Sequence, residues 1–154
     1  MSNETHDKYE ICAAWLKGKD ARSANDSSSP YKLVLSEGIP TEAGVYYFHT
    51  DNEYYVGETN NLRKRMNQYA NAGMVENPVK EYTNRSIQRK INDALKENKS
   101  VMLSYCISAV ILRNGETFKQ LDFKEKYHRT LVESLMASTQ PDDQKSWNKQ
   151  HQKS

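Results

Sequence analysis

At 154 residues, with 36% hydrophobic and 27% charged side chains, the chain has room for one domain with a real core. No stretch approaches the roughly 18 consecutive apolar residues of a membrane helix, and the amino terminus is polar. We therefore expect neither a membrane span nor a signal peptide. The formal net charge of +2 does not by itself announce a nucleic-acid binder, and two cysteines, Cys12 and Cys106, make neither a disulfide framework nor a zinc quartet. They read as free thiols in a reducing cytoplasm.

In chain order, Tyr9, Cys12, Ala13 and Leu16 recur at helical spacing with Ile11 and Trp15 alongside, which predicts a helix over roughly residues 6–18. A polar connection follows from Lys17 to Pro30, ending in Asp26-Ser27-Ser28-Ser29-Pro30. Tyr31 to Leu35 alternates weakly and reads as a short strand. Residues 1–35 thus form a helical arm and linker ahead of a globular unit over 36–154. The arm fits an oligomer contact, a DNA clamp or a lid on the core.

Gly44 to Phe48 and Tyr54 to Val56 are two runs of high strand propensity. His49-Thr50-Asp51-Asn52 between them is turn chemistry, and Gly57 ends the second run. Thr59 or Asn60 caps a basic helix from Asn61 to Tyr69. Asn71 to Thr83 reads as irregular. Ile87, Ile91, Ala94 and Leu95 then mark an amphipathic helix whose other faces hold Arg85, Arg89, Lys90 and Lys96. Val101 to Leu112 reads as a buried central strand and Asn114-Gly115 as a turn. Phe123, Tyr127, Leu131 and Leu135 fall four apart, predicting a helix over roughly 118–138 that Pro141 ends, with a polar tail after it. The fold class is α+β: a small, mainly antiparallel sheet flanked by helices, with the extra amino-terminal helix or arm.

Charge is unevenly spread. Residues 1–58 carry five Lys/Arg against ten Asp/Glu, whereas residues 59–100 carry nine against four. The positive field therefore concentrates just after the hairpin, where a phosphate backbone would need it, although a solvated helix face gives the same pattern.

Gly44-Val45-Tyr46 and Tyr55-Val56-Gly57 resemble the two signatures of the GIY-YIG nucleases, and Asn61-Leu62-Arg63-Lys64-Arg65 is similar to the run carrying that family's arginine. Asn61 to Tyr69, Asp93-Ala94-Leu95-Lys96-Glu97 and Trp147-Asn148-Lys149-Gln150-His151 resemble the small phage endonuclease II branch. The resemblance covers roughly residues 40–150 and implies a divalent-metal-dependent endonuclease acting on DNA, most simply the duplex. One active site per chain and two strands to cut call for two chains or two successive nicks, and we expect a homo-oligomer, a dimer or tetramer with twofold symmetry. The alternative is a nucleic-acid-binding protein that keeps the fold without the chemistry.

Phosphodiester hydrolysis needs an activated water, neutralised equatorial oxygens and help for the leaving oxygen. By the resemblance, Glu133 is the metal ligand for Mg²⁺ or Mn²⁺, since a single carboxylate suits an ion that keeps most of its waters. Read alone, it is a solvated helix residue. Arg65 is the phosphate-binding arginine, with a planar fork for two oxygens, or else a surface ion-pair residue. Tyr46 is the proton acceptor from water and Tyr55 its partner, provided nearby positive charge lowers a phenol pKa of about 10. Both also read as strand aromatics. Tyr69, one turn after Arg65, either bonds the phosphate or packs. By the resemblance, Asn148 after Trp147 ties the glutamate and the sheet together, or else it belongs to the tail. Arg63 and Lys64 are expected on flanking phosphates or in water, with Arg85, the nearest match to the family's basic residue opening the next helix, and Arg89 and Lys90 as further DNA contacts. Glu58 departs from the family pattern. It would repel phosphate unless it faces away, pairs with Arg65 or Lys64, or adds a metal ligand.

Overall fold

The computed structural model describes residues 6–24, 32–72 and 82–148. The Asp26–Pro30 loop, most of the irregular segment after Asn71 and the last residues of the tail lie outside them. A mainly antiparallel sheet runs in the order β1 (Tyr9–Lys17), β6 (Met102–Arg113), β4 (Gly44–His49), β5 (Glu53–Thr59), β8 (Lys145–Ser146), and β7 (Glu116–Gln120) pairs with the far half of β6. A separate ribbon joins β2 (Arg22–Ser23) to β3 (Leu33–Val34). Three helices complete the α+β fold: α1 (Leu62–Ala70), α2 (Tyr82–Lys96) and α3 (Lys126–Ser138). Among the described residues no helix is long and apolar enough to cross a membrane.

The predicted amino-terminal helix is instead strand β1. Ile11, Ala13 and Trp15 are half-buried while Glu10, Cys12, Ala14 and Leu16 are exposed, a period of two. The helical spacing of Tyr9 and Leu16 was accidental, since both lie on the surface. The apolar β6 offers β1 a ladder along its whole length, Tyr9 opposite Arg113 and Lys17 opposite Ser104, and tertiary pairing overrides local propensity. The arm is thus a strand of the main sheet.

The helix expected over 118–138 begins only at Lys126. Asn114 and Gly115, with φ of 52° and 82°, form the two-residue turn that a tight hairpin requires, so the chain returns as β7. The four-residue spacing read from Tyr127 and Leu131 falls on the solvent side; α3 buries His128, Arg129 and Val132 instead. The cap of α1 is Asn61, whose side chain accepts from the Lys64 N–H, not Thr59 or Asn60.

The core lies on both faces of the sheet. On one, Tyr46, Phe48 and Tyr55 pack with Leu62, Met66 and Tyr69 of α1 and Ile87 and Ile91 of α2. On the other, Val45, Val56, Cys106 and Ala109 pack with Val132 of α3. Two glycines permit close approach. A Cβ on Gly57 would lie 2.3 Å from the Tyr46 ring, and one on Gly44 would lie 2.4 Å from the Cys106 carbonyl oxygen.

The polar tail closes the sheet. β8 runs parallel to β5, and the buried Asn148 brackets Val56: its Oδ1 accepts from the Val56 N–H at 3.0 Å and its Nδ2 donates to the Val56 carbonyl at 2.8 Å. Asn148→Ala leaves two buried backbone groups unpaired, and we expect a stability loss of about 2–3 kcal/mol in urea denaturation.

Candidate active site

Beyond Val56 the outer edge of β5 is no longer paired to β8, whose partners are Glu53 and Tyr54. A cleft of about 320 Å³ opens there, lined among others by Tyr46, Tyr55, Arg65, Glu58, Glu133 and Asn148. It straddles the sheet. Tyr46 and Tyr55 belong to the α1–α2 face, while Glu58, opposite Val45, and Glu133 come from the α3 face. Gly57, having no side chain, leaves the Tyr46 ring lying directly over the strand.

Tyr69 stands behind the cleft rather than on its lining. Its hydroxyl lies 2.6 Å from that of Tyr46 and donates to Tyr55 at 3.4 Å, and it is fully buried. Arg65 Nε donates to the Tyr46 hydroxyl at 3.3 Å, and its guanidinium lies 4.6 Å over the Tyr69 ring. With Tyr69 donating onward, the hydrogen bonds run one way, from Arg65 to Tyr46 to Tyr69 to Tyr55, and leave the Tyr55 hydroxyl proton free.

The expected depression of the Tyr46 pKa does not occur in the free chain. Burial, and then the neighbouring Tyr55, push it well above the ordinary phenol value; Arg65 pulls the other way without winning. Tyr69 is raised for the same first reason. Burial works against the charge on Arg65, yet Tyr46 and Tyr69 beside it raise its pKa, so the guanidinium stays charged at any working pH.

Glu58 points into the cleft, but it pairs with neither Arg65 nor Lys64. Its Oε2 accepts from Arg129 Nε at 2.7 Å, and its Oε1 lies 3.9 Å from Lys126 Nζ. Arg129 is nearly buried and also donates to the carbonyls of Phe123 at 2.7 Å and Lys124 at 3.4 Å. The sequence reading missed Arg129. The available signal was its place four residues before Glu133 on one helix face, next to a carboxylate in need of a partner.

Glu133 is half-buried and makes no hydrogen bond or ion pair with any described residue. Burial first, and Glu58 second, raise its pKa above the ordinary carboxylate value; Lys126 opposes them. A raised acid favours the protonated form in the fold, so this contribution to stability is present at low pH and is lost as pH rises through the folded pKa. In Glu58→Gln one source of that shift disappears. We expect the Glu133 titration, followed by carboxyl-carbon NMR in metal-free buffer, to move to lower pH.

Among the described residues no three His, Cys, Asp or Glu side chains cluster as a metal site. The Glu133 carboxylate, unpaired in a polar cleft with room for water, nevertheless fits a hard divalent cation that keeps most of its own waters. The other expected DNA contacts lie away from the cleft lining. Arg63, whose Nε donates to the Ile39 carbonyl at 2.7 Å, and Lys64 line a separate depression on the outside of α1. Thr83, Ser86 and Ile87 are the α2 residues on the cleft; Lys90 continues their row at helical spacing, while Arg85 and Arg89 do not line it.

Residues 42–106 match the family model of the GIY-YIG catalytic domain. No curated protein and no solved structure matches the chain. The GIY-YIG match takes in β4, β5, α1, α2 and the start of β6, and with them Tyr46, Tyr55, Arg65 and Tyr69. Glu133, Arg129 and Asn148 lie beyond it, and it is the fold that brings Glu133 and Asn148 to the same cleft.

Proposed function

We propose that the chain is a GIY-YIG-type endonuclease that hydrolyses phosphodiester bonds of duplex DNA with Mg²⁺ or Mn²⁺. The observation that carries this is the convergence of Arg65, Glu133 and two tyrosines on one cleft from separate parts of the chain. A phosphate in the cleft meets the Arg65 guanidinium, which offers its remaining N–H groups to the equatorial oxygens. The Tyr46 hydroxyl oxygen accepts a hydrogen bond from the attacking water while its own hydrogen stays bonded to Tyr69, and the free Tyr55 hydroxyl orients the phosphate. Because Tyr46 resists ionisation, its task is to aim the water within a hydrogen-bonded chain. Glu133, whose carboxylate lines the cleft, would hold the divalent cation, while Glu58 beside it is engaged by Arg129. When bound, that cation supplies Lewis-acid stabilisation of the departing oxygen and lowers the pKa of a coordinated water.

The Glu58–Arg129 ion pair supports this reading over a binding-only protein, because the acid after the second signature is already offset before phosphate enters. The resemblance of residues 61–69, 93–97 and 147–151 supports a place near the small phage endonuclease II branch. Two free cysteines support a reducing cytoplasm, and the need to cut two strands supports a homo-oligomer with twofold symmetry. The test is supercoiled plasmid incubated with Mg²⁺ or Mn²⁺ and then with chelator. We expect nicked and linear products that chelation stops; retarded but uncut plasmid would establish the binder instead.

A further inference from the structure

We propose that the outward face of α1 reads bases in the major groove of duplex DNA. The proposal builds on the nuclease reading, because it takes duplex DNA as the polymer in the cleft, and it adds the surface that selects the sequence.

The helix itself divides its residues. Leu62, Met66, Tyr69 and Ala70 form the buried stripe. Lys64, Asn67, Gln68 and Asn71 follow the i, i+3, i+4, i+7 spacing on the opposite side. Arg65 lies on the flank between the two, where it lines the cleft. From Asn61 to Asn71 there are three cations, four amides and no carboxylate. The depression of about 480 Å³ along this face contains no acidic residue in its lining. An ordinary solvated helix mixes both signs of charge; this one is complementary to a polyanion and carries the side chains that discriminate bases.

The amides are already oriented. Gln68 Oε1 accepts from Arg65 Nη1 at 3.1 Å, which turns its amide N–H donors outward. Asn71 Nδ2 donates to the Asn67 carbonyl at 2.9 Å, which turns its Oδ1 acceptor outward. Donors from one side chain and an acceptor from the next suit adenine, whose major-groove edge offers an N7 acceptor and an N6 amino donor. Fixing them in advance lowers the entropy cost of contact.

The dimensions agree. A helix about 10–12 Å across fits a groove about 12 Å wide, and the walls of that groove are the phosphate backbones. A helix seated there puts its outer stripe on the base edges and its flank against a wall, so that Arg65 meets a phosphate while Gln68, bonded to it, meets a base. The phosphate to be cut and the bases to be read are coupled through one guanidinium.

The test is binding without cutting: duplexes with a randomised centre are incubated with the protein in chelator, and the bound fraction is sequenced. We expect wild type to enrich particular bases, and Asn67→Ala, Gln68→Ala and Asn71→Ala each to lower the enrichment at one position by about ten-fold, the scale of one good base contact. Lys64→Ala should weaken every sequence alike and reduce the salt slope by about one. Lys64, Asn67 and Gln68 are exposed, so thermal melting should be unchanged in their variants, whereas Asn71→Ala also removes the side-chain bond that ends α1 and should melt slightly lower. A flat wild-type profile, or the same enriched sequence in all three amide variants, overturns the proposal. A protein that selects sequences but never cuts overturns the nuclease reading alone.

Discussion

Glu133→Gln should abolish metal-dependent cutting, with a fall of about 10³-fold or more in rate at saturating Mg²⁺. Glutamine keeps the volume and the helix propensity of glutamate, so α3 and the cleft persist and only the negative charge goes. That charge has no partner among the described residues, and the fold keeps it half-buried beside a second carboxylate. Half-burying a carboxylate without a partner is unfavourable, and a bound cation would repay that cost. Loss of one preorganised electrostatic group costs on the order of 10²–10³-fold in other active sites, and on the nuclease reading the missing group would also be the metal ligand. The measurement is plasmid cleavage across a Mg²⁺ titration, with Mn²⁺ binding followed by paramagnetic relaxation. Full activity in Glu133→Gln at any metal concentration removes this residue from the chemistry.

The second large effect concerns stability. Arg129→Met should destabilise the fold by about 3–5 kcal/mol, because it leaves the Glu58 carboxylate, which is 17% exposed, without its main partner. The carbonyls of Phe123 and Lys124 lose their donor at the same time. Most of that cost is the unpaired charge, so Arg129→Met combined with Glu58→Gln should recover a large part of it. A double-mutant cycle in urea reads the coupling directly. If the two losses simply add, the ion pair is not what holds the α3 face against β5. Lys126 does not replace Arg129 here, since it lies 3.9 Å away and its side chain is 77% exposed.

Half of this site could be read along the chain. Tyr46, Tyr55, Gly57 and Arg65 sit within twenty residues, and strand pairing puts Tyr46 opposite Gly57 by local geometry alone. Asn61 to Tyr69 read correctly as a helix because its apolar positions keep one period without interruption. Residues 9–17 misled because a strand containing Ala13, Ala14 and Leu16 has no strong propensity of its own; its partner lies about a hundred residues on, at β6. The start of α3 misled for a related reason. Phe123, four residues before Tyr127, extends an apparent helical spacing, but the left-handed turn at Asn114-Gly115 commits the chain to a hairpin first. Arg129 could not be singled out without knowing that Glu58 and α3 meet. Nor can a one-dimensional pattern show that burial, rather than nearby positive charge, decides the proton affinity of Tyr46.

The order in which the cleft is built has a consequence during synthesis. A ribosome that has made the hairpin and α1 has supplied both tyrosines and the guanidinium, but neither Glu133 nor the asparagine that brackets Val56. On the nuclease reading, unfinished chains are harmless to the genome of the cell making them. The cleft lacks its acid until α3 has been made and has packed against β5.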